Sequence, residues 1–222
     1  MKIIQILKEI KRKIIMPSHG YYAFLKTIKA NGSLLDVGCG NDSPFRVKSL
    51  RPDIFYTGID IGDYNLTKPN LADKYIITTP EQFSETIATM QNYFDAVISS
   101  HNLEHCNDRD KTLDAMIKSI RGGGYLYLSF PTANSVNFPN RKGTLNYYDD
   151  PTHLDKPPDF HKIIEVLKHN DFDIFFAAES YKPFLYRIKG FFDEPLSRKK
   201  NQVYYSTWAY YGFESIIWAK KR

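Results

Sequence analysis

One short segment narrows the folds open to this chain more than any other. Residues 33–37 are apolar except for Ser33 and Asp36, and they run straight into Gly38-Cys39-Gly40. A run this short, closed by two glycines, reads as a buried strand entering a tight turn. Similar runs recur at residues 55–61, 74–78, 94–99, 125–130, 173–178 and 214–220. Stretches with helical patterning fall at residues 21–30, 80 to about 92, 109–120 and 162–169, and Gly122-Gly123-Gly124 is positioned to stop the third of these. Seven strands alternating with helices predict the α/β class: a doubly wound, seven-stranded, mostly parallel sheet with N-terminal helices and lid insertions, covered on both faces. With 222 residues the chain is expected to form one domain over residues 1–222.

Two stretches break the alternation: residues 132–158, rich in Asn, Pro and Asp, and residues 181–211, rich in aromatic and basic residues. Long segments of this kind in a compact domain tend to carry function, so both are expected to be lids on the substrate side. At the N-terminus, Ile3, Ile6, Leu7, Ile10 and Ile14 fall at helical spacing among Lys2, Lys8, Lys11, Arg12 and Lys13. Such a helix either packs across the domain as a lid or makes weak contact with an anionic membrane surface through residues 1–16. Its charges interrupt every apolar run well short of the roughly 20 residues of a membrane span. Cys39 and Cys106 are too few for a disulfide framework and lack zinc-site spacing, which fits a reducing, cytoplasmic setting. The net charge of +5 modestly favours anionic small-molecule partners, but much of the excess lies at the two ends, and no nucleic-acid partner is expected from it.

In an open α/β sheet a ligand sits beyond the carboxyl ends of the strands, over the glycine turn of the first one. Here Asp36 stands just before the glycines, and Ser43 occupies the place of a dinucleotide fingerprint's third glycine. A carboxylate beside a pyrophosphate repels it, whereas beside the ammonium and sulfonium of S-adenosylmethionine it is favourable. About twenty residues beyond Gly38, Asp60 ends the second strand and can accept from both hydroxyls of a ribose.

These residues resemble the class I, Rossmann-like, S-adenosylmethionine-dependent methyltransferases, in particular their small-molecule branch. LLDVGCGN (34–41) is similar to the family's first motif, GIDI (58–61) to its second, FDAVISSHNLEH (94–105) to its fourth and GGGYLYLSFP (122–131) to its fifth. The resemblance implies a cofactor-binding core over residues 33–130. In it Asp36, Gly38 and Gly40 line the methionine half, Asp60 holds the ribose, the residues around Thr79 and Glu81 flank the adenine, and Cys39, Ile61 and Ser100 are further cofactor-binding residues. Thr78-Thr79-Pro80 departs from the Gly-Asp pair usual there, which leaves the adenine contact the least specific.

Methyl transfer from a sulfonium has a neutral leaving group, so the protein mainly aligns donor and acceptor and removes the acceptor's proton. Glu104 and His105 follow the fourth strand, where the methyl group is expected, and His153 lies in the sequence DPTHLD (150–155). These three are the catalytic candidates, with a neutral imidazole as base and Glu104 orienting it. Their structural alternative is an imidazole that merely ties the loop to a helix. Some methyltransferases of this class place an acid three residues before a Glu-His pair to complete a divalent-metal site. Because His101 stands where that acid would be, no metal is expected by resemblance alone, although Glu104, His105 and His153 keep the question open. His19, His161 and His169 are expected on surfaces.

The aromatic residues of 184–211, with Arg187, Lys189, Arg198, Lys199 and Lys200 among them, either close over a ring or sugar bearing an anionic group or pack against the last strand or a homodimer partner. The function expected is therefore transfer of a methyl group to an O or N of a small molecule, for example a sugar or a phosphorylated or nucleotide-linked precursor of a surface glycan. RNA methylation and a non-catalytic adenosyl-binding scaffold are the alternatives.

Overall fold

The computed structural model describes residues 19–40, 42–64, 67–204 and 206–222, and the helix expected over residues 1–16 lies outside them. A single helical turn, α1 (Tyr21–Phe24), leads to β1 (Ser33–Val37), α2 (Ser43–Leu50), β2 (Phe55–Asp60), β3 (Lys74–Ile77), α3 (Phe83–Ala88), β4 (Phe94–Ser100) and α4 (Arg109–Ser119). There follow β5 (Ile120–Pro131), α5 (Phe160–His169), β6 (Phe172–Ala178), α6 (Phe184–Lys200), α7 (Thr207–Tyr211) and β7 (Glu214–Lys221). The strands form one sheet in the order β3-β2-β1-β4-β5-β7-β6. The pairs from β3 through to β5 are parallel, and β7 runs antiparallel to both of its neighbours. The doubly wound, mostly parallel α/β sheet expected from the alternation is the fold observed.

The two-residue period of a strand explains how one sheet supports two cores. Leu35, Val37, Val97, Leu126 and Leu128 pack beneath Ile87, Leu113, Met116, Ile163 and Leu167 of α3, α4 and α5. Leu34, Tyr56, Ala96, Ile98 and Tyr127 point the other way, toward Phe24, Leu25, Ile28 and Val47. Asp108 and Asp159 fix where α4 and α5 begin, each accepting the backbone N–H three residues on, at 2.9 and 3.0 Å.

Three local expectations need correction. The glycines 122–124 do not stop α4, which ends at Ser119; they sit within β5, where a register shift against Phe94 and Ala96 takes up the extra residues and Gly123 has φ +76°. The stretch 181–211 is largely helical, because α6 continues through Gly190 and Pro195. His19 is half-buried rather than free on the surface: its ring stacks on Phe176 at 3.8 Å and meets Trp218 edge-on at 5.5 Å.

Candidate active site

β1 and β4 are neighbours although β1 is connected to β2, and this reversal of strand order opens a crevice at the strands' carboxyl ends. A cleft of about 930 Å3 occupies it. Asp36, Gly38 and Gly40 from the first turn, Asp60 and Ile61 from the end of β2, and Glu81, Ser100 and His105 all line it. Eight of the residues singled out in the sequence are thus brought together. Cys39, Thr79, Glu104 and His153 are not on its wall. Cys39 is fully buried, and a Cβ on Gly58 would come within 2.6 Å of its sulfur, so Cys39 supports the turn from behind.

Asp36 is almost completely buried, and its Oδ2 accepts hydrogen bonds from the hydroxyls of Tyr21 (3.0 Å), Ser43 (2.7 Å) and Tyr56 (2.7 Å). Burial raises the pKa of the carboxyl above the usual aspartate value, and these three donors counteract the rise. Ser43, at the position where a dinucleotide site has its third glycine, therefore helps hold the acid. Gly38 has φ +73°, and a Cβ there would lie 2.4 Å from the side chain of Asn102. The glycine is required by its backbone conformation and by Asn102 in the β4 loop. Asp60 accepts the N–H of Ile61 at 2.7 Å, and burial pushes its pKa up to about 6 against the lowering effect of neighbouring backbone N–H groups.

His101, noted in the sequence only for standing where a metal-site acid would be, has a role that the sequence did not show. It adopts φ +51° just past β4. Its Nδ1 lies 3.1 Å from Glu104 Oε1, and its Nε2 lies 3.3 Å from Glu214 Oε1 without the angle of a hydrogen bond. Burial disfavours the charged ring, but Glu104 and Glu214 outweigh it and push the pKa up to about 10. An imidazolium between two carboxylates is the result. Glu214 is at the start of β7, distant in sequence, so no local pattern could have shown this contact.

Glu104 is wholly buried, and its Oε2 has no hydrogen-bond partner among the described residues. One ligand atom each from Glu104, His105 and His153 lies within 4.8 Å of the others. The neighbours of the two histidines settle their tautomers. The Thr152 hydroxyl donates to Asp150 at 2.6 Å, so at 3.0 Å from His105 Nδ1 it can only accept, as does the Thr152 carbonyl at 3.2 Å. His153 Nδ1 likewise faces the carbonyl of Tyr147 at 2.6 Å, and burial lowers the pKa of this ring. Both imidazoles, when neutral, thus carry their proton on Nδ1 and keep the lone pair on Nε2.

A second, smaller pocket of about 210 Å3 adjoins the cleft. Tyr127, Tyr181, Tyr186 and Glu214 line it, and it shares Tyr21, Tyr22 and Trp208 with the cleft. Among the described residues no Lys or Arg is on its wall, and Arg46 and Lys111 are on the wall of the cleft. The basic residues of α6 line neither.

Sheet order, glycine turn and the carboxylates of Asp36 and Asp60 define a Rossmann-like fold with its cleft at the switch point. A family model for the methyltransferase domain matches residues 10–175. Solved structures with the same fold include an S-adenosylmethionine-dependent methyltransferase from Archaeoglobus fulgidus (TM-score 0.57, 19% identity, 90% of each chain covered). Another is from Mesorhizobium loti (TM-score 0.60, 14% identity, 90% of this chain and 97% of that one). A third is phosphoethanolamine N-methyltransferase 2 of Haemonchus contortus in complex with S-adenosyl-L-methionine (TM-score 0.60, 16% identity, 90% of this chain and 51% of that one). No curated protein sequence matches the chain. The chain belongs to the methyltransferase domain family. It is an enzyme whose cofactor is S-adenosylmethionine.

Proposed function

We propose that the enzyme methylates an oxygen or nitrogen of a small molecule whose ring is held in the aromatic pocket, a sugar or a phosphorylated or nucleotide-linked glycan precursor being the class that fits. The observation that carries this is the sharing of Tyr21, Tyr22 and Trp208 between pocket and cleft, which lets an acceptor on the tyrosine wall reach a methyl donor in the cleft. An anionic substituent on the acceptor would meet Arg46 or Lys111 rather than the cations of α6. Asp60 accepts from the ribose hydroxyls, Asp36, Gly38, Gly40 and Ser100 face the methionine half, and Ile61 and Glu81 flank the nucleoside. The two free thiols fit a cytoplasmic setting.

S-adenosylmethionine bound in the cleft would supply an electrophilic methyl carbon to the acceptor's lone pair and would leave as the neutral thioether. His105 Nε2 takes the acceptor's proton, with Thr152 holding the tautomer. A second reading rests on the unpartnered Oε2 of Glu104: with the Nε2 atoms of His105 and His153 it would complete a two-histidine, one-carboxylate set suited to zinc or another transition metal. Chelation separates the two, since a histidine-base enzyme ignores EDTA and a metal enzyme loses activity and regains it with one ion.

The acceptor class is tested by incubating the enzyme with methyl-labelled S-adenosylmethionine and separate fractions of polar metabolites, glycans and RNA. Label in the metabolite or glycan fraction is expected. Label confined to RNA, in a reaction suppressed by salt, replaces this reading with the nucleic-acid one.

A further inference from the structure

The helix α6 is turned inside out. A surface helix ordinarily buries its apolar stripe and exposes its charges. Here Gly190 and Ser197 are buried and Asp193 and Glu194 half-buried, while Phe184, Phe191 and Phe192 are 74%, 62% and 72% exposed, with Leu185, Ile188 and Leu196 also out. Internal bonds account for the inward face. Glu194 grips Arg141 through two bonds at 2.8 and 2.7 Å, Ser197 accepts from the same guanidinium at 2.6 Å, and Asp193 is bound by Ser206 and Lys189. Gly190 lets α6 lie against α7, since a Cβ there would come within 2.5 Å of the Ser206 carbonyl.

Among the described residues Phe191 has ring contacts with Phe192 at 5.5 Å and, at the longer distance of 6.5 Å, with Tyr210, yet most of the surface of all three phenylalanines stays exposed. A contiguous exposed stripe of this size marks an interaction surface. Charge decides what covers it. Arg187, Lys189, Arg198, Lys199 and Lys200 are exposed around the stripe, and the helix's two acids are turned inward and already bound. Two copies packed through this face would set cations against cations with no acid of the helix to pair them. A surface with negative headgroups above an apolar interior matches both the charges and the phenylalanines. We propose that α6 docks on an anionic lipid surface, with its phenylalanines at the headgroup boundary and its cations on the phosphates. Pro183 and Tyr186 belong to the aromatic pocket, so the segment that docks also forms part of that pocket's wall.

The test is sedimentation of the full chain with vesicles of phosphatidylcholine alone or of phosphatidylcholine with phosphatidylglycerol. Binding to the anionic vesicles only, weakening as salt is raised, is expected. The pair Phe191→Ser/Phe192→Ser and the pair Lys199→Gln/Lys200→Gln are each expected to lower the bound fraction about tenfold. Thermal unfolding and S-adenosylmethionine binding of both variants are expected to stay as in the parent, because these side chains are exposed. Failure of the parent to sediment overturns the proposal, as does undiminished binding by either variant, which would move the contact to the basic residues before His19. A dimer in light scattering that the phenylalanine pair dissolves assigns the face to a second copy and equally overturns it.

Discussion

Asp60 works at an unusual pH for an aspartate. In the proposed site, ribose hydroxyls would donate most strongly to its ionised form, and burial pushes its pKa up to about 6, so cofactor affinity is expected to fall as the pH drops through about 6. Calorimetry across that range checks this, and Asp60→Ala is expected to weaken binding by about 1.5–3 kcal/mol and flatten the profile. His101 has the opposite linkage. Its folded pKa of about 10 stands above the ordinary 6.5, so the stability it contributes is full below pH 6.5 and is lost as the pH rises toward 10. His101→Leu strands two carboxylates and is expected to cost about 3–5 kcal/mol in denaturant unfolding. His105→Ala, by contrast, is expected to leave cofactor affinity unchanged while turnover falls by roughly 10²-fold. That Asp36, Asp60 and His105 line the cleft was readable because glycine turns and strand ends are local signals. Tyr21 and Tyr56 on Asp36, and Glu214 beside His101, are contacts that only the assembled sheet creates.

At the level of elements, the strands were legible and α6 was not. Strand positions follow from short apolar runs bounded by glycine and proline, which need no knowledge of the neighbours. Hydropathy periodicity can locate an apolar stripe on a helix but cannot tell whether the stripe faces the core or the solvent, and in α6 the answer depends on Arg141, from another segment, receiving Glu194 and Ser197. Substitution separates the two faces. Gly190→Ala drives a methyl into the Ser206 carbonyl and the Tyr210 Cβ and is expected to cost about 1–3 kcal/mol, whereas Phe192→Ala is expected to stay within about 0.5 kcal/mol. Thermal melts of the two variants in parallel measure the difference.

For the whole molecule, the strand order fixes where the chemistry can occur, since the crevice between β1 and β4 is the place where helices leave the sheet in opposite directions. Saturating S-adenosylmethionine is expected to stabilise the protein by about 2.7 kcal/mol at a hundred times its Kd, and NAD by nothing measurable. The position of β7 has a bearing on synthesis. Among the described residues β6 pairs only with β7, and β7 pairs with β5, so the outer strand β6 meets its partner there once the segment following it has been made. A ribosome that has delivered β1 through β6 holds the cofactor turn but lacks Glu214, the second counter-ion of His101. Closure of the sheet and neutralisation of that half-buried charge therefore arrive together, with β7.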